Sequence, residues 1–251
     1  MATSGASLPT LRCPRIADSI RVDGDLHKAP WSSLEPAWLA PSHGGAGALD
    51  VARALHLLAP DAAPLEGAVT FQPTALRVCC DRSRLYVAFH CVDRDIWGSL
   101  RGRNQPIYTE EVVEAFLAPD GDVRRYVELE TSPHGAWFEA RIESPDRRRD
   151  TMRVDTDWTC EGWQRAVRVR GRAKQRPGDA GGEPDCWWSV EWAIPFAALP
   201  GGVAPRPGAR WRANFFRIDA AGGGQYSAWS PTFAVPADFH VPERFGILEF
   251  E

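Results

Sequence analysis

Methionine is nearly absent from this 251-residue chain, which has only Met1 and Met152. Long apolar runs are missing too. None approaches the roughly 18–20 residues that a membrane-spanning helix needs, so no membrane partner is expected. There is no basic excess: the formal net charge is -4, and a surface for a phosphate backbone requires one, so no nucleic-acid partner is expected. The arginine run Arg147–Arg149 is flanked by Asp146 and Asp150 and reads as a solvated loop. The motifs GxSxG, HExxH, the Walker loop and a strand-borne GxGxxG are all lacking, which removes the commonest hydrolase, metalloprotease and nucleotide-binding signatures. The triplet Gly222–Gly224 precedes a strand pattern and not a helix, so it cradles no phosphate. Histidines occur at 27, 43, 56, 90, 134 and 240, without metal-ligand spacing.

The opening MATSGASLPTLRCPRI lacks the apolar core of a secretion signal, and a cytoplasmic location is the expectation. Six cysteines are present, but there is no CxxC, and the adjacent Cys79 and Cys80 point to opposite faces of a strand. Buried, reduced thiols are expected.

What the chain does have is period-two alternation. SIRVDG (19–24), ALRVCC (75–80) and RLYVAFHCV (84–92) open the series. The third is apolar on both faces and reads as a central strand. EVVEAFL (111–117) and RRYVELE (124–130) flank the turn PDGD, the clearest hairpin in the chain. AWFEARIE (136–143), WQRAVRVRG (163–171), CWWSVEWAI (186–194), RWRANFFRI (210–218) and FGILEF (245–250) follow. Helical spacing is confined to LDVARALHLL (49–58) and one turn at PFAAL (195–199). About ten short strands imply an all-β, antiparallel sandwich of jelly-roll or immunoglobulin-like type with few short helices. A single domain over 10–251 is expected, with a disordered tail over 1–9.

Eleven tryptophans are present, three of them within CWWSVEW. Alternation puts Trp188, Val190, Trp192 and Ile194 on one apolar face, which belongs in the core. Trp187, Ser189, Glu191 and Ala193 lie on the other, so Glu191 faces outward or onto a surface shared with Glu114.

An ordered set of segments runs through nearly the whole chain: VDGDLHKAPW (22–31), LYVAFHCVDRDI (85–96), TEEVVEAFLAPDG (109–121), WWSVEWAIPFAAL (187–199), RPGARWRANFFRID (206–219), SAWSP (227–231) and HVPERFGILEF (240–250). This succession resembles carbohydrate-binding module family 9 and its DOMON-like β-sandwich relatives. The resemblance implies a sandwich that binds a terminal sugar without cleaving it. It implies two clamp aromatics, matched by Tyr108, six residues before Glu114, and Phe239, six before Phe245. Both are tryptophan in well-studied sugar binders, so the smaller rings here imply weaker stacking. Glu114 matches the strand glutamate that bonds sugar hydroxyls, a role suited to a charged acceptor. Glu128 stands where a basic residue is expected. Trp97 and Trp229 are further candidates for the pocket wall, and Arg217 is a candidate partner for Glu114. A structural calcium, which some members carry, would draw on Asp93, Asp95, Asp120 and Asp122.

Two other readings stay open. An enzyme acting on a small sugar-derived molecule would use Glu114, Glu191, Arg217 and His240 as its polar groups. A haem-binding relative would need an axial methionine, histidine or lysine, for which Met152 is the one internal methionine.

Overall fold

The alternating segments from Thr74 onward all become strands. In chain order the strands are β1 (Thr10–Cys13), β2 (Ala37–Trp38), β3 (Ala40–Pro41), β4 (Thr74–Cys80), β5 (Arg84–Val92), β6 (Val112–Ala118) and β7 (Arg125–Thr131). They continue with β8 (Trp137–Glu143), β9 (Arg153–Asp155), β10 (Gln164–Arg170), β11 (Trp187–Pro195), β12 (Arg210–Asp219), β13 (Gln225–Ala228) and β14 (Gly246–Phe250). The short helix α1 spans Val51–Leu57, and PFAAL forms one 3-10 turn at Phe196–Ala198. The computed structural model describes residues 7–44, 51–62, 71–179 and 184–251. Of the expected tail, residues 1–6 lie outside the described residues, as do Leu49 and Asp50 of the expected helix. Pro9 accepts a backbone hydrogen bond from Ile247 at 2.9 Å.

Two sheets form a sandwich. The larger has nine strands in the order β1-β14-β12-β6-β7-β8-β9, with β13 joining β12 to β3; the smaller has five in the order β10-β11-β5-β4-β2. Neighbours are antiparallel except β1, which runs parallel to β14 where the two ends of the chain meet. The pattern of β5 explains its central place: Leu85, Val87, Phe89 and Cys91 enter the main core, while Tyr86 and Ala88 pack under the N-terminal segment.

The main core lies between the sheets. Trp188, Val190, Trp192 and Ile194 enter it from β11, opposite Val113, Ala115 and Leu117 of β6 and Phe215 of β12. A tryptophan burying about 150–250 Å² contributes about 4–6 kcal/mol of hydrophobic stabilisation. Both indole N–H groups are satisfied, Trp192 by Thr131 Oγ1 at 2.9 Å and Trp188 by Asp93 Oδ2 at 3.0 Å. Gly246 begins the last strand because the ring of Trp229 lies against its backbone; a Cβ there would come within 2.4 Å of that ring.

SIRVDG does not form the expected strand. Gly24 sits at φ +78°, and the amides of Asp23 and Gly24 both donate to the carboxylate of Glu191, at 2.8 and 2.9 Å. Those amides are therefore spent on a side chain and cannot enter a ladder.

A second apolar cluster covers the outer face of the nine-stranded sheet. It contains Phe116 of β6, Tyr126 of β7, Phe138 of β8, Phe216 of β12 and Phe239 of the loop before β14. This face carries the candidate site.

Candidate functional site

The floor of the site is set by strand alternation. With Val113 and Ala115 turned into the core, Glu114 must face the outer side of the sheet. On β7 the core positions Val127 and Leu129 leave Glu128 and Glu130 on that same outer side. One carboxylate oxygen from each of Glu114, Glu128 and Glu130 lies within 4.8 Å of the others. All three side chains are buried. Burial raises Glu114 well above the usual carboxylate range, helped by the charge of Glu128; burial and both neighbours do the same to Glu130. Glu128 is pushed up to about 7, chiefly by burial. The cluster thus keeps protons that isolated glutamates would release.

The walls are aromatic and come from distant parts of the chain. Tyr108 sits in a 3-10 turn closed by the Thr109 amide on the Pro106 carbonyl at 3.1 Å. Ile107 anchors that turn at 0% exposure, which leaves Tyr108 projecting at 47%. Its ring meets Phe138 edge-on, centroids 5.9 Å apart. Phe239 follows Asp238, whose carboxylate accepts the His240 amide at 3.0 Å and turns the loop onto the sheet. Tyr226 of β13 stands edge-on to Phe239 at 6.2 Å and is 41% exposed.

Tyr108, Glu114, Glu128, Phe239 and His240 therefore share one cavity of about 210 Å³. His240 is held by its Nδ1 on the Tyr126 hydroxyl at 2.7 Å and by the face of Phe116 at 4.8 Å. Burial, and then the charge of Arg149, lower its pKa to about 3, so it is neutral near pH 7. Its Nε2 lies 3.7 Å from Glu128, which is a neighbourly distance and not an ion pair.

The other four expected residues are placed elsewhere. Glu191 does not share a surface with Glu114: it lies on the outer face of the five-stranded sheet, where Trp31 Nε1 at 2.8 Å and Lys28 join the two loop amides on its carboxylate. Arg217 does not pair with Glu114, because alternation turns it into the sandwich. There it bridges Asp93 at 2.8 Å and the Val92 carbonyl at 2.7 Å. Trp229 packs on Phe215 within the core, centroids 6.0 Å apart. Trp97 lies in the loop bridged to Lys174 and gives its amide to Glu111.

The four aspartates considered for calcium occupy two separate places. Asp93 meets Arg217 and Asp95 meets Lys174, while Asp120 and Asp122 meet Arg125 and Arg124 in the hairpin turn. With their charges already met by the chain's own cations, these residues do not fit a calcium site.

Sequence reasoning missed Phe138, Glu130 and Tyr226. Phe138 and Glu130 were legible as outward positions of their strands. Tyr226 was not, because β13 is only four residues long.

A family model described as carbohydrate-binding family 9 matches residues 66–250. A solved candidate carbohydrate-binding protein from Bacteroides uniformis superposes with a TM-score of 0.68 at 16% identity, covering 98% of this chain and 100% of the other. A family 9 carbohydrate-binding module from Caldicellulosiruptor kristjanssonii, in complex with cellotriose, gives 0.59 at 12% identity over 97% and 94%. An "extracellular protein" of Arthroderma benhamiae is 26% identical over 151 residues, which are 59% of this chain. The chain spans 64% of the length of that curated relative. Fold similarity and the family match, which extends over most of the sequence, agree: this chain belongs to carbohydrate-binding family 9.

Proposed function

We propose that this protein binds a carbohydrate without cleaving it, in the cavity between Tyr108 and Phe239 on the outer face of the nine-stranded sheet. Sugar rings present flat C–H faces that pack on aromatic rings, and hydroxyl groups that donate well to carboxylates. One observation carries the reading: two aromatics from distant parts of the chain line the same cavity as Glu114 and Glu128. Family membership supports it, as does the cellotriose complex of the Caldicellulosiruptor module. Tyr108 supplies exposed ring surface, and Tyr226 adds more at the mouth.

Isothermal titration with mono- and oligosaccharides, before and after Tyr108→Ala, tests it. Binding in the parent chain and a clear loss in the variant are expected. No heat with any sugar, or equal affinity in the two proteins, would overturn the assignment.

A further inference from the structure

The floor of the cavity has an unusual charge character for a site facing neutral hydroxyls. Glu114 and Glu128 line it, and Glu130 lies against them. Glu114 Oε1 is fully enclosed and has no hydrogen-bond partner, although the side chain is only 2% exposed and forms part of the cavity wall. A buried acceptor left unmet costs about 1–3 kcal/mol. Glu114 belongs to the wall of an aromatic-lined cavity, so its unmet oxygen points to a donor that arrives with the ligand once the side chain turns toward it.

The charged groups facing this floor all come from four elements. β6 and β7 provide the three glutamates, the loop before β14 provides Asp238 and His240, and the turn before β9 provides Arg149. Arg149 is the cation among the described lining residues, and it is drawn to Asp238 at 3.3 Å. His240 is neutral and committed to Tyr126. The site therefore holds more acid than base.

Resting on the carbohydrate reading above, we propose that the cavity selects a sugar bearing a free, protonated amino group, the ammonium seated on Glu114 and Glu128. An ammonium offers three N–H donors and one compact positive charge, so its arrival draws off a proton that burial keeps on the cluster and leaves a carboxylate facing it, as no hydroxyl does. The aromatic walls favour the same choice, since a cation beside Tyr or Phe rings is stabilised by the ring quadrupole. A divalent metal fits less well. Calcium takes six to eight oxygen ligands, and the clustered glutamates bring one oxygen each within 4.8 Å of one another.

The test is isothermal titration of the full chain near pH 7 with glucosamine, glucose, N-acetylglucosamine and calcium chloride as separate titrants. Glucosamine is expected to bind at least tenfold more tightly than the other two sugars, since acetylation removes the charge. Glu128→Gln, which keeps shape and removes a carboxyl able to ionise, is expected to cut that advantage to about threefold or less. Equal affinity for glucose and glucosamine overturns the amino-group inference and leaves the carbohydrate reading standing. No heat with any of the three sugars overturns the amino-group inference, and the carbohydrate reading falls with it only if the oligosaccharides also give no heat. Stoichiometric calcium binding that Glu128→Gln abolishes overturns it as well, because the cluster is then a metal site. If the variant does not fold, the glucosamine-to-glucose ratio in the parent chain decides the matter alone.

Discussion

Phe239 lies flat on Phe216, with ring centroids 4.2 Å apart and planes 12° from parallel. One face of the clamp ring is thus spent on the sheet, and Phe239 is only 7% exposed. It is a wall and a core residue together. Phe239→Ala is expected to cost about 3–4 kcal/mol of stability, as truncation of a buried phenylalanine does, and to weaken sugar binding as well. Urea denaturation and sugar titration on the same preparation check both effects. Loss of binding without loss of stability would contradict the stacked arrangement.

Tyr108 should separate the two effects. Its turn is anchored by Ile107 and by the Pro106 carbonyl, not by its own ring. Tyr108→Ala is expected to leave the unfolding free energy within about 0.5 kcal/mol, the usual range for exposed substitutions. Sugar affinity should fall by about tenfold, the equivalent of about 1.4 kcal/mol, within the range for lost aromatic packing. A midpoint of denaturation that moves as far as in Phe239→Ala would show that the turn depends on the ring.

The acid floor predicts a pH-dependent stability. Glu128 is raised in the folded state to about 7 from an ordinary 4.5, chiefly by burial. Between those values the folded state binds more protons than the unfolded one. The contribution of Glu128 is therefore fully present below about pH 4.5 and is lost as pH rises through 7. Glu114 and Glu130, shifted in the same direction, extend the loss to higher pH. Glu128→Gln cannot ionise, so it is expected to gain on the parent chain by on the order of 2–3 kcal/mol between pH 4.5 and above 7. Parallel urea titrations across that range measure the difference. A constant offset between the two proteins would mean that Glu128 ionises normally.

The extent to which sequence revealed this molecule follows from the physics of each element. Strands with alternating faces were legible because burial on one or both sides imposes period two, as in β5, β6 and β11. The hairpin of β6 and β7 carried its own turn residues, which put Glu114 and Glu128 on its two arms; the register that brings both to one face came with the structure. The cavity's two walls are another matter. Tyr108 and Phe239 lie outside the strands, and only the resemblance drew them together. Glu191 shows the opposite limit. Alternation correctly put it on the side away from Trp188 and Trp192, but a period of two cannot say what covers a face. The covering segment is VDGDLHKAPW, whose amides and Trp31 indole the carboxylate ties down. SIRVDG misled for the same reason, since its strand-like pattern ends in a loop that serves a side chain.

That arrangement yields the last prediction. Glu191 is 0% exposed and accepts from two backbone amides, the Trp31 indole and Lys28. Removing it strands several buried donors and a cation together, a change that costs about 3–5 kcal/mol when one partner of a buried pair is deleted. Glu191→Ala is therefore expected to destabilise the chain by about that amount and to loosen the segment from Val22 to Trp31 first. Faster amide exchange at Asp23 and Gly24 should accompany the lower denaturation midpoint. Because the site lies on the outer face of the other sheet, the fraction that remains folded should bind sugar with unchanged affinity. A selective loss of sugar affinity in protein shown to be folded would return Glu191 to the binding site.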